Sequence, residues 1–107
     1  MSQRRVVVTG MGIVSPVGST IDSAWDAICN GRSGIGTVAS FDASHMKTRI
    51  AGEVVGFDAA NYLSHREMQR MDNFVHYGFA ASIDALNDAG LIGEESKFDP
   101  ERVGCAV

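Results

Sequence analysis

Val6, Val7 and Val8 form an unbroken apolar run, and Met11, Ile13 and Val14 extend it. A run rich in β-branched residues without polar alternation predicts a strand over Arg5–Val14, buried on both faces. Gly10 and Gly12 interrupt it, which predicts a bulge or a close neighbour there. Ser15-Pro16-Val17-Gly18 reads as a turn. The period then changes. Ile21, Ala24, Trp25 and Ile28 recur at i, i+3, i+4 and i+7, the single apolar face of a helix. Ser19 or Thr20 can cap it, Asp22 suits its first turn, and Asn30-Gly31 ends it.

Arg32–Thr37 is a Gly/Ser-rich loop, and Phe41-Asp42-Ala43-Ser44 a turn. Thr48–Val55 can form a strand, interrupted by Gly52 and Glu53. Phe57–Leu63 reads as a short helical turn. Ser64-His65-Arg66-Glu67 has the S-x-x-E spacing of a capping box. Asp72 is a second helix start, and Phe74–Ala89 is a long helical pattern ended by Gly90. Its apolar and small residues surround most of the helix, which predicts burial on more than one side. Asp99-Pro100-Glu101 is a turn, and Val103–Val107 reads as a further strand. The order β–α–β–(α)–α–β predicts an α/β layered architecture.

Composition adds little. The chain has 107 residues, a hydrophobic share of 45% and a formal net charge of −4. Glycine, at 12 residues, exceeds its usual share of about 7% and points to tight turns and close backbone approaches. Beyond Arg4–Arg5 there is no basic stripe, so no nucleic-acid partner is expected. No apolar run approaches the roughly 20 residues of a membrane span. The Val6–Val8 run is too short for a secretory signal, and Cys29 and Cys105 have no metal or redox spacing. A cytoplasmic chain with reduced thiols is the expectation.

Complete catalytic constellations are missing. Gly10-x-Gly12 after a strand invites a dinucleotide reading, but Ser15 stands where the third glycine belongs. His45, His65 and His76 lack metal-ligand spacing. His45 and His65 are expected to face water, and His76 to be a hydrogen-bonded core or interface residue. Cys29 and Cys105 read as small core residues, without the helix N-terminus or base a nucleophile needs. Arg66 and Arg70 stand at i, i+4, as two cations on one helical face. That face is either solvated, with Glu67 as a local partner, or a dock for an acidic partner.

The ordered set of segments carries a resemblance. Arg4-Arg5-Val-Val-Val-Thr-Gly-Met-Gly-Ile-Val-Ser-Pro-Val-Gly18 resembles the opening of β-ketoacyl-acyl-carrier-protein synthases, especially those of type II. Trp25, Gly31-Arg-Ser-Gly-Ile35, Phe41-Asp42, Ala51-Gly52-Glu53-Val54, Met71-Asp72-Asn-Phe-Val-His-Tyr-Gly78, Asp88-Ala-Gly-Leu91 and Arg102-Val-Gly104 follow in that family's order. The resemblance implies an α/β fold, the N-terminal part of a thiolase-like layered α-β-α architecture. Residues 1–107 are then an incomplete N-terminal segment of the N-terminal thiolase-like half, with no second domain.

The resemblance also implies decarboxylative condensation of acyl and malonyl thioesters carried by acyl carrier protein. It implies a homodimer, no cofactor and no metal. The family's nucleophilic Cys, catalytic His pair and Lys lie beyond the matching segment, so no catalytic residue is expected in this chain. Cys29, Cys105, His45, His65 and His76 match none of them. What carries over is carrier docking, because Arg66 and Arg70 fall where the family has basic residues on a short helix. Gln69 stands where relatives often carry a third. The alternatives are a non-catalytic, chain-length-factor-like homologue and a nucleotide-binding α/β module.

Overall fold

A computed structural model describes residues 2–93 and 98–107. The turn at 15–18 closes through Ser15 N to Gly18 O at 3.1 Å and Gly18 N to Ser15 O at 3.2 Å. Helix α1, Ile21–Cys29, follows at once. Thr20 caps it: its Oγ1 accepts from Ser23 N at 3.2 Å, and Ser23 Oγ accepts from Thr20 N at 3.3 Å. Serine thus closes a reciprocal capping box, a role more often filled by Glu or Gln. The helix stops where Gly31 turns left-handed, with φ 65°. Gly31 N then reaches Ile28 O and Arg32 N reaches Ala27 O, so carbonyls of the last turn are satisfied.

Strand β1, Ile35–Thr37, pairs antiparallel with β2, Ile50–Gly52, in the register Ile35↔Gly52 and Thr37↔Ile50. Pro16 packs onto this ribbon beside Gly34 and Gly52, where a Cβ would lie 2.8 and 2.9 Å from its ring. A 3₁₀ turn over Ala59–Asn61 comes next, capped by Asp58. Helix α2, His65–Met68, and helix α3, Asn73–Asp88, follow. α3 ends as α1 does: Gly90 has φ 70°, and Leu91 N bonds Leu86 O at 2.9 Å. A second 3₁₀ turn covers Pro100–Arg102.

Tyr62 fastens the 3₁₀ turn at 59–61 to α3. Its hydroxyl bonds both Asp84 carboxylate oxygens, at 2.9 and 3.1 Å. Phe57 stacks on Tyr62 and meets Tyr77 edge-on, with ring centroids 6.0 and 5.2 Å apart. The N-terminal segment lies against the C-terminal half of α3. Met11 N donates to Asp88 Oδ2 at 2.9 Å. A Cβ on Gly10 or Gly12 would collide with α3 backbone atoms of Ala85, Ala89 and Ala81. These two glycines make the close approach that their interruption of the apolar run predicts.

The core is thin. Its buried apolar side chains are Ala24, Ala27, Ala43, Leu63 and Ala80. The radius of gyration is 17.6 Å, against about 13 Å for a compact domain of this size.

Several expectations need correction. Arg5–Val14 and Val103–Val107 belong to no β-ladder among the described residues. A strand exists only through a paired neighbour; β1 and β2 pair with each other, and Gly10–Gly12 lies on α3. The element order is therefore α–β–β–α–α with two 3₁₀ turns, in place of β–α–β–(α)–α–β. The expected loop at Arg32–Thr37 contains β1. Helix α3 buries only His76 and Ala80, leaving Phe74 and Phe79 exposed. Helices with one small sheet still make this an α/β fragment.

Candidate functional site

Helix α2 exists because its single turn is capped twice. Ser64 Oγ accepts from Glu67 N at 3.4 Å, and the Glu67 carboxylate accepts from Ser64 N at 2.9 Å and Ser64 Oγ at 2.7 Å. The Ser64 hydroxyl and then its N–H hold the Glu67 carboxyl below its ordinary range. Of the two readings open for the Arg66–Arg70 face, the one with Glu67 as a local partner finds no contact among the described residues. Its carboxylate is occupied at the helix start, and neither Arg66 nor Arg70 has an ion pair among the described residues.

Arg66 is exposed on α2. Arg70 is exposed too, but lies past the helix. α2 stops at Met68, Gln69 caps it, and Arg70 N bonds Glu67 O at 3.0 Å. Arg66 thus stands within the single helical turn and Arg70 in the turn that ends it. The turn displays two exposed arginines, and the Glu67 carboxylate between them in sequence is engaged by Ser64. Such a surface attracts acidic partners through long-range steering more than through contact energy.

The other residues singled out from sequence do not join this patch into a reaction centre. His45 and His65 are exposed, as expected. His65 Nε2 sits 3.0 Å from the Gln69 side-chain nitrogen. His76 is buried, and its Nε2 has no hydrogen-bond partner among the described residues, so the expected bonded state is not met there at that atom. Cys29 and Cys105 are exposed, which corrects their reading as core residues. Cys29 lies about 200° around α1 from buried Ala27, on the opposite side. Cys105 follows the second 3₁₀ turn without a ladder to cover it. Gly10 and Gly12 are taken up by α3, leaving no cradle for a pyrophosphate.

Two contacts escaped the sequence reading. Glu53, at the end of β2, accepts from Ala39 N at 2.9 Å, Ser40 N at 3.1 Å and the Ser40 hydroxyl. Ser40 and Ala39 hold its carboxyl below the usual range. The other is the Tyr62–Asp84 pair. Neither has a local sequence signal, because the partners are 13–14 and 22 residues apart.

The architecture belongs to the thiolase-like α/β class. The solved structure titled "The ishigamide ketosynthase/chain length factor" superposes with a TM-score of 0.76 at 32% identity, over 85% of this chain and 23% of that one. The description "Beta-ketoacyl synthase, N-terminal domain" matches residues 3–107, and the chain belongs to that family. A 3-oxoacyl-[acyl-carrier-protein] synthase 2 of Vibrio harveyi is 50% identical over all of this chain and 25% of its own length. The synthase of the same name from Synechocystis sp. is 43% identical over 92% of this chain and 24% of its own length. The chain thus spans about a quarter of the curated relatives it matches.

Proposed function

We propose that this chain is the N-terminal portion of a 3-oxoacyl-acyl-carrier-protein synthase II. In that reaction an acyl group is held on the enzyme as a thioester. Malonyl-acyl-carrier-protein loses carbon dioxide, its α-carbon attacks the acyl carbonyl, the enzyme thiol leaves, and a 3-oxoacyl thioester forms. Residues 1–107 supply none of the reacting groups in this reading. They supply scaffold and, at Arg66 and Arg70, a dock for acyl carrier protein. The complete protein is a cytoplasmic homodimer acting on acyl and malonyl thioesters without a cofactor.

One observation carries the reading: 50% identity to a synthase of that name over the whole chain. The thin core and the uncovered apolar residues Trp25, Ile28 and Phe74 support its being part of a larger domain. Two arginines without an ion pair among the described residues support an acidic partner. Charge reversal at both positions in the complete protein tests the dock. Carrier binding should weaken and lose salt dependence; unchanged binding would remove the role. The isolated 107-residue chain should form no 3-oxoacyl product.

A second reading is favoured by the structural neighbour, whose title includes a chain length factor. Under it the complete protein keeps the fold and lacks the nucleophile. Intact-mass analysis after incubation with acyl-carrier-protein thioester separates the two, since only a synthase gains the acyl mass.

A further inference from the structure

Asn30 caps the C-terminal end of α1, and Gly31 follows it; both are exposed. Of the four asparagines in the chain, Asn30 alone precedes a glycine; Asn61, Asn73 and Asn87 precede Tyr62, Phe74 and Asp88. Such a pair is chemically labile. A main-chain nitrogen can attack the side-chain amide carbon of the residue before it, and a glycine nitrogen is the least shielded because its residue has no Cβ.

The fold demands both members of the pair. Gly31 has φ 65°, so any side chain there is strained, although a Cβ would meet nothing within 4 Å. Asn30 is placed by its amide. Its Nδ2 donates to Asp26 O at 2.8 Å and to Asp26 Oδ1 at 3.0 Å, while Asp26 Oδ2 pairs with the Arg32 guanidinium. The same contacts restrain the reaction. The attacking nitrogen, Gly31 N, donates to Ile28 O at 3.1 Å, and the leaving amide is held by Asp26. Ring closure has to break both.

We propose that Asn30–Gly31 is a site of spontaneous deamidation, gated by opening of the α1 C-cap. Gly31 N loses its proton to solvent base and bonds to Asn30 Cγ. The Cγ–Nδ2 bond breaks, and the nitrogen takes up a proton from water and leaves as ammonia. Water then opens the succinimide at either carbonyl, giving aspartate or isoaspartate at position 30. No oxidant or reductant is needed. The new carboxylate stands four residues from Asp26, at the negative end of the α1 dipole. Isoaspartate also lengthens the main chain by one carbon, where Gly31 N and Arg32 N bond Ile28 O and Ala27 O. Conversion therefore unfastens the helix end that delays it. Neither Arg66 nor Arg70 takes part.

The test holds the complete protein in mildly alkaline buffer, folded and in urea, and follows the peptide containing residue 30 by chromatography and mass spectrometry. Heavy-oxygen water marks each converted residue. In urea Asn30 should convert faster than Asn61, Asn73 and Asn87. In the folded protein it should convert at least about tenfold more slowly than in urea, because the cap must open first. Asp26→Ala removes one acceptor of the amide and should raise the folded rate roughly fivefold, with the urea rate unchanged. Asp26→Asn keeps an oxygen there and should restore most of the protection. Equal rates folded and in urea, an unchanged folded rate in Asp26→Ala, or no lead of Asn30 in urea overturns the proposal. If Asp26→Asn converts as fast as Asp26→Ala, the Arg32 ion pair and not the amide contact closes the cap, and the gate assigned to Asn30 fails. A rise shared by all four asparagines in Asp26→Ala marks global unfolding, and the folded-to-urea ratio of the unaltered protein then decides alone.

Discussion

The Tyr62 hydroxyl spans 22 residues of sequence to bond both oxygens of the Asp84 carboxylate. That contact ties the start of the α2 region to the middle of α3. Tyr62→Phe removes it and leaves a carboxylate without its donor. The expected cost is about 1 kcal/mol, read as a lower midpoint in thermal or urea unfolding. No loss in either would show that Asp84 is equally well served by water.

Burial, and then the Asp84 hydrogen bond and charge, push the Tyr62 phenol above its ordinary value. A group whose folded value is raised contributes stability below its unfolded value and loses it as pH rises through the folded one. The Tyr62 contribution should therefore persist at neutral pH and fade above about pH 10. Ultraviolet titration of the phenolate, compared between the unaltered protein and Asp84→Asn, reads the shift directly. Equal midpoints would remove Asp84 from the account.

Glu53 runs in the other direction. Its carboxyl is held down by Ser40 and Ala39, so its contribution is present above its unfolded value of about 4.3 and is lost as pH falls through the lower folded one. Amide protection factors at Ala39 and Ser40, taken against intrinsic rates at the same pH, should fall on acidification below about pH 4 and in Glu53→Ala at neutral pH. Exchange unchanged in Glu53→Ala would mean that the β1–β2 connection is held by its ladder alone.

Gly12→Ala places a methyl against the α3 backbone at Ala81 and Ala85. Overpacking of this kind costs roughly 1–3 kcal/mol. The melting temperature should fall by several degrees or more. Gly36→Ala is the control, because a Cβ there meets nothing within 4 Å. Equal effects of the two would dismiss the close approach.

Ser64→Ala removes the Oγ that accepts from Glu67 N and donates to its carboxylate. Helix α2 should fray, with amide exchange at Met68 and Gln69 faster by roughly fivefold or more. Carrier binding should weaken with it. Intact binding despite faster exchange would mean that the arginines dock without an ordered α2.

Much of this was legible locally. Ser64 and Glu67 announce their capping box by spacing alone, because both halves of the contact lie within one turn. Gly31 and Gly90 mark helix ends because only glycine takes a left-handed conformation at no steric cost. What was illegible depends on distant partners. β1 is three residues with Gly36 at its centre, too short for any period to show. Val6–Val8 carries every mark of a strand and no means of naming its neighbour. The arginine patch was legible as residues but not as geometry. Their spacing gave the i, i+4 pair, but not that α2 ends between them at Met68.

The seam between Gly10–Gly12 and α3 also sets a rule for sequence divergence. The atoms nearest each missing Cβ are backbone atoms of α3 and its C-cap: Ala85 O and Ala89 N for Gly10, Ala81 O and Ala85 N for Gly12. No side-chain replacement on α3 can move them away. Most packed pairs drift together, with one side shrinking as the other grows. Here compensation is closed off, so homologues should keep glycine at both positions while α3 varies opposite them, and the seam should leave no trace of covariation.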